Sequence, residues 1–156
     1  MRLSGYVSAL GLVVCLIWPF TAYSETFQEK QQCLAETIYH ESRGEIFEGR
    51  LGVAYTVVNR ATIGGFGNGI CGVVYREGRL SCAFTWVCAH KGIDDSASFK
   101  SAWQLAGDVL KGKYSDPTYG ALWFHEIGLS PDWSRDKMVG VKIGRHMFYP
   151  AFGVKK

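Results

Sequence analysis

Apolar residues recur at helical spacing as far as Leu110, and beyond Gly112 the pattern changes to short extended runs, so the chain reads as helices first and a sheet last. The first predicted helix covers Phe27 to Arg43. Leu34, Ile38 and the ring of Tyr39 return on one face of it, and Gly44 stands past its end as a C-cap. A second helix is predicted over Gly49 to Ala61, where Leu51, Val53, Ala54, Val57 and Val58 form a broad face to pack on the first. Gly64 to Gly69 then breaks the chain as a flexible loop, with no Lys-Ser or Lys-Thr pair after it to hold a phosphate. A short helical turn is expected over Gly72 to Arg76, and Cys82 to Val87 alternates like a strand or an extended rim segment. Ser98 offers an N-cap for a third helix whose apolar face runs from Ala102 to Leu110. Ala121 to His125 and Val139 to Ile143 read as strands, and Arg145 to Tyr149 returns across a turn at Gly144. The result is one α+β domain, with a cleft between the helices and a small antiparallel sheet. No internal repeat interrupts it, and at 47% apolar residues the chain has enough material for a core, which excludes disorder.

Residues 1–24 stand apart from that fold. Arg2 precedes an apolar run from Tyr6 to Phe20, and Ala22-Tyr23-Ser24 places small residues where a signal peptidase reads, so cleavage after Ser24 is predicted. An uncleaved anchor is the competing reading, but the run is short for a membrane span and Pro19 interrupts it. Val14 before Cys15 does not suit lipidation. The expected product is an exported protein of residues 25–156, secreted or held in the periplasm or envelope, with no stable membrane insertion.

Export changes what the cysteines mean. Cys33, Cys71, Cys82 and Cys88 remain after cleavage, an even number in an oxidising compartment, which favours two disulfides. Three pairings are open; Cys82 with Cys88 is the local one, since six residues can turn back on themselves, leaving Cys33 for Cys71. Zinc is the other use of four cysteines, but no Cys-x-x-Cys knuckle is present. The net charge of +3 falls to +2 with the loss of Arg2, and the basic residues are scattered, so nucleic acid is not an expected partner.

Glu41 holds the most telling position for chemistry. It falls in the last turn of the first helix, near the negative end of the helix dipole, which opposes ionisation and helps a carboxyl keep its proton. A protonated carboxyl can act as general acid on a glycosidic oxygen. Spacing alone favours a plain solvated glutamate at a helix end.

The run Tyr39-His40-Glu41-Ser42-Arg43-Gly44-Glu45 is joined by further blocks in order: Asn59-Arg60, Ile70 to Tyr75, Cys82 to Trp86, Asp116 to Ala121, and Ile143 to Tyr149. Together they resemble the SleB/CwlJ family of cell-wall hydrolases over nearly the whole mature chain. The resemblance implies a lysozyme- or transglycosylase-like fold and makes Glu41, the first Glu of the family's Glu-Ala/Ser-Arg-Gly-Glu motif, the catalytic acid. It implies peptidoglycan glycan strands as the partner, cut between N-acetylmuramic acid and N-acetylglucosamine, with lytic transglycosylase chemistry in several members. Asp116-Pro117-Thr118 matches the family's Asp-Pro-Thr segment, which makes Thr118 a candidate sugar or carboxyl contact; the alternative is a turn that Pro117 fixes and Thr118 caps. Two departures stand out: glycines at 64–69 where many relatives carry Phe-Pro, and Ala83 where Gln is usual.

Other groups are weighed beside these. Tyr39, Phe84, Trp86, Tyr119 and Trp123 are candidates to stack on sugar rings, as is Trp133, although aromatic residues in a small domain mostly fill its core. Glu45 is expected to pair with Arg43 or Arg50 rather than act, and Glu36 and Glu48 are expected on the surface. A hydrolytic muramidase would need a second carboxylate, for which Asp116, Asp132 and Asp136 are available. His40-Glu41 and His125-Glu126 begin like a zincin helix, but Gly44 and Leu129 stand where the second His belongs. A metal-dependent amidase or peptidase would instead need His125 and His146 to bind zinc, and a glycan-binding module would need no catalytic group. Ser42 lacks the Gly-x-Ser-x-Gly elbow of a serine hydrolase. Single-acid glycosidase chemistry requires no cofactor and no metal.

Overall fold

The computed structural model describes residues 24–78, 82–134 and 139–150. The predicted leader therefore lies outside the described residues, except for Ser24, and so does Asp136. Among the described residues no helix is long and apolar enough to cross a membrane.

Helix α1, Phe27–Ser42, opens on a capping box: the Thr26 hydroxyl accepts from the Glu29 amide at 3.2 Å while the Glu29 carboxylate accepts from the Thr26 amide at 2.7 Å. Its far end departs from expectation. Arg43 is right-handed there and Gly44 is not among the positive-φ glycines, so no left-handed glycine cap forms. What Gly44 permits is close approach, since a Cβ on it would stand 3.3 Å from the Arg145 guanidinium. Helix α2, Phe47–Ile63, is longer at both ends than its apolar stripe suggests. Helix α3, Gly69–Val74, begins earlier than predicted because the Glu25 carboxylate receives the amides of Ile70 at 2.8 Å and Cys71 at 2.9 Å. Helix α5, Ser96–Leu110, is capped by Asp95 rather than Ser98; both the Ala97 and Ser98 amides donate to Asp95 at 3.0 Å.

The expected strand at Cys82–Val87 is instead a helical turn, α4, Thr85–Cys88. Phe84 and Trp86 are buried while Ala83 and Thr85 are exposed, which produces the alternation, but the backbone closes on itself through Val87 N to Phe84 O at 3.1 Å. The Cys82–Cys88 disulfide closes the same turn, and Cys33–Cys71 ties α1 to α3, so the cysteines pair as the local reading expected.

Strands β1, Ala121–Glu126, β2, Val141–Ile143, and β3, His146–Pro150, form an antiparallel sheet in the order β1-β3-β2. The main core gathers Leu34, Ile38 and Tyr39 of α1, Ala54 and Val57 of α2, Val73 and Val74 of α3, and Leu105 and Ala106 of α5. A second cluster, Val53, Ala121 and Phe148, seals the sheet to α2. Gly52 makes that seam possible: a Cβ there would stand 2.7 Å from Cζ of Phe148, whose ring is fully buried.

Candidate active site

Glu41 projects from the final turn of α1 and is partly buried. Burial pushes its carboxyl above the ordinary value, while the charge of Arg60, the indole N–H of Trp86 and the charge of Lys91 pull the other way without reversing the shift. Among the described residues the buried Trp86 N–H makes no bond of ordinary hydrogen-bond geometry, so its hold on Glu41 is a loose one. Among the described residues the charges acting on Glu41 are those of the cations Arg60 and Lys91.

Arg60 is the residue that sequence reasoning passed over, although the Asn59-Arg60 pair was visible. Its Nε donates to the Leu122 carbonyl at 2.7 Å, and its guanidinium lies 5.5 Å from the Phe66 ring centre and 5.6 Å from that of Phe84. Burial lowers its pKa to about 10, and Glu41 opposes that shift. Arg60 is therefore a fixed cation braced between α2 and β1, acting on Glu41 through space. A depression of about 250 Å³ is lined by Arg60, Phe66, Arg76 and Ala83 among others. A second, of about 390 Å³, is lined by His40, Trp86 and Lys91 among others. Glu41 is in neither lining, but the groups that set its proton affinity are shared between them. A larger concavity of about 940 Å³ opens beside Glu25, Gln32 and the Cys33–Cys71 disulfide and contains none of those groups.

The predicted aromatic contacts divide. Trp86 is buried, stacks on His40 at 4.5 Å and acts on Glu41, and Phe84 lies beside it at 6.2 Å under Arg60. Trp123 is partly buried and meets Phe66 edge-on at 6.1 Å. Tyr119 is 70% exposed, displayed on a turn where its own backbone is left-handed, with φ of 56°. Tyr39 is fully buried: its hydroxyl accepts from Arg43 at 2.6 Å and from the Asp95 amide at 3.0 Å and donates to Asp94. It anchors the loop before α5, and its ring has no surface to offer a sugar. Thr118 is also fully buried, its hydroxyl donating to Asp116 at 2.6 Å and accepting from the Ala121 amide at 3.1 Å. The geometry thus favours the capped turn over the sugar contact for Thr118.

Three of the other carboxylates, Glu45, Asp116 and Glu36, are held by hydrogen bonds. Glu45 pairs with neither Arg43 nor Arg50, as expected from spacing, but with Arg145 across the molecule. Its side chain, 2% exposed, receives the Arg145 Nε at 2.6 Å and the Arg145 amide at 2.9 Å. Burial pushes the Glu45 carboxyl up, but those two hydrogen bonds outweigh it and hold the group below the ordinary range. Gly144, with φ of 58°, leaves room for this clamp, since a Cβ on it would fall on the Glu45 carboxylate. Asp116 receives the amides of Thr118 and Gly120 and the Asn59 side chain. Glu36 is bonded by Gln32 and Tyr75, and Glu48 is exposed. Asp132 begins a short 3-10 turn, Asp132–Ser134.

For a metal, His125 is poorly placed: one ring nitrogen meets the Glu126 carbonyl and the other the Tyr149 hydroxyl, each at 2.9 Å. His146 is buried against Phe124, and among the described residues no group of three His, Cys, Asp or Glu side chains could hold an ion.

Known proteins resemble this chain in sequence and in fold. The chain is 33% identical to a spore cortex-lytic enzyme of Bacillus cereus over 126 residues, 78% of this chain and 44% of that protein. It is 30% identical to a spore cortex-lytic enzyme of Bacillus subtilis over 118 residues, covering 74% and 35%. The chain thus spans less than half the length of these curated relatives. Among solved structures, the catalytic domain of the Bacillus cereus SleB protein superposes with a TM-score of 0.61 at 31% identity, covering 83% of this chain and 93% of that one. The catalytic domain of the germination-specific lytic transglycosylase SleB from Bacillus anthracis gives 0.62 at 32% identity, covering 83% and 98%. The likeness therefore confirms the expected α+β fold of helices and a small sheet. The model of the Cell Wall Hydrolase family matches residues 44–149, from just after Glu41 through all three strands, and the chain belongs to that family.

Proposed function

We propose that the protein is a peptidoglycan-cleaving glycosidase, a lytic transglycosylase in which Glu41 is the general acid. The observation that carries this reading is a carboxyl at the end of α1 whose pKa burial raises, faced among the described residues by two cations and no second carboxylate. In the reaction Glu41 gives its proton to the bridging glycosidic oxygen as the C–O bond breaks. A hydroxyl of the same muramyl sugar then attacks the oxocarbenium-like carbon and returns a proton to the Glu41 carboxylate, closing an anhydro ring. Arg60 and Lys91 stabilise the carboxylate formed in the first step. The solved relative named as a lytic transglycosylase supports the same outcome.

With the leader removed after Ser24, residues 25–156 act outside the cytoplasm, in the envelope or beyond it. For a hydrolytic muramidase Asp116 is committed to hydrogen bonds elsewhere, which leaves Asp132 and Asp136 as the second carboxylate it would need. Digestion of purified sacculi by wild type and Glu41→Gln, followed by mass spectrometry, tests the reading. Anhydro-muramyl ends released only by wild type are expected; reducing ends point to a hydrolase, free stem peptides to an amidase, and unchanged release by Glu41→Gln removes Glu41 from the chemistry.

A further inference from the structure

Along the face of α1 that carries Glu36, His40 and Arg43 runs a polar groove of which only Trp86 and Lys91 take part in the glycan chemistry above. It has two lobes of about 390 and 430 Å³, which share His40, Lys91, Gly92 and Ile93 in their linings and so are continuous. Its middle is formed by the stacked pair His40 and Trp86, with ring centres 4.5 Å apart and planes 20° from parallel. Two exposed charges of opposite sign border it: Glu77 at one end and Lys91 near the centre. Neither side chain forms an ion pair among the described residues, whereas Glu36 is bonded to Gln32 and Tyr75, and Arg43 to Asp94. The groove therefore presents, among the described residues, an anion and a cation with no ion-pair partner beside the stacked rings.

Trp86 connects this groove to the acid. One face of its ring stacks on His40 while its N–H edge acts on Glu41, so the groove starts one indole away from the bond to be cut. The hydroxyl and acetamido groups of the sugars are neutral and offer Lys91 and Glu77 hydrogen bonds but no opposite charge. The substituent of the strand that does carry charge is the short peptide on the lactyl group of each muramyl sugar, with its carboxylates and, in many walls, a free amine. We infer that this groove is the binding site for that peptide arm, with Lys91 receiving a carboxylate and Glu77 an amine. The inference rests on the glycosidase reading above, and it assigns the protein a preference for peptide-bearing strands over bare ones.

The test compares rates on glycan strands with intact stem peptides and on the same strands stripped of peptide by an amidase, which leaves each muramyl sugar its lactyl carboxylate but no peptide and no amine. Wild type is expected to show a kcat/KM about tenfold higher on peptide-bearing strands. Lys91→Glu and Glu77→Lys, both exposed and outside the core, are each expected to lower that ratio about two- to fivefold, the size of one exposed ion pair. Because Lys91 also acts on Glu41, the ratio is the proper readout: any effect on the acid is common to both substrates and cancels. Equal rates on the two substrates, a preference for stripped strands, or an unchanged ratio in both variants overturns the assignment while leaving the glycosidase reading intact. Cleavage of neither substrate by wild type overturns both.

Discussion

Replacing Gly52 by Ala puts one methyl group into the seam that joins the sheet to the helices. The added carbon would meet Cζ of Phe148 at 2.7 Å and Cε1 and Cε2 at 3.1 Å, all inside ordinary contact distance. Phe148 has nowhere to retreat, because it is fully buried and packs against Phe124 and His146. Overpacking of this kind costs about 1–3 kcal/mol, and three ring carbons in conflict place Gly52 toward the upper end. Against it stands the gain from removing a glycine from the middle of α2, about 1 kcal/mol. Sterics win, leaving a net loss of about 1–2 kcal/mol. For a domain of this size that lowers Tm by about 4–8 °C in calorimetry. Gly52→Ala combined with Phe148→Leu should recover part of the loss relative to Phe148→Leu alone, since the smaller side chain relieves the clash. A Gly52→Ala variant at least as stable as wild type would refute the reasoning, since propensity would then have outweighed the contact.

Glu41→Gln should be more stable than wild type at neutral pH. A carboxyl whose folded pKa lies above its unfolded one costs stability as pH rises from the unfolded value through the folded one, so the gain should vanish below about pH 4, as denaturant titrations at several pH values will show. Glu45→Gln should behave in the opposite sense: its folded pKa is depressed, so the contribution is present above the unfolded value and is lost as pH falls through the folded one. Arg60→Met removes a charge that favours ionised Glu41, so the alkaline limb of the kcat profile should move to higher pH; an acidward move contradicts the coupling. Loss of the Cys33–Cys71 bridge, which spans 38 residues, should cost about 4 kcal/mol by loop-closure entropy, against about 2 kcal/mol for Cys82–Cys88, which spans six, as double Cys→Ser variants compared by urea unfolding will reveal.

What sequence reading captured is what local periodicity and turn chemistry control. Leu34 and Ile38 at helical spacing placed α1 and set Glu41 in its last turn, and the turn at Gly144 correctly joined β2 to β3. The short spacing of Cys82 and Cys88 was equally informative. It was less reliable where one signal has two structural sources: Phe84 and Trp86 alternate with exposed neighbours both in a strand and in the tight turn that they occupy. Asp95 and Ser98 are both good caps, and only the path of the backbone chose between them. Least visible were the partnerships across distance. Glu45 finds Arg145 a hundred residues away rather than a neighbouring arginine, and Arg60 reaches Glu41's surroundings only because α2 packs on α1. Thr118 shows the converse, since a motif match marks its position but its burial decides what its hydroxyl touches.

The central claim concerns one proton, and it is measured most directly by a carbon-detected NMR titration of the glutamate side-chain carboxyls, with Glu41→Gln used to assign the resonance. Glu41 is expected to titrate clearly above the ordinary value of about 4.5, and to move higher still in Arg60→Met. A Glu41 that titrates at or below that value would be ionised at neutral pH, with no proton to give to the glycosidic oxygen, and would contradict its role as general acid.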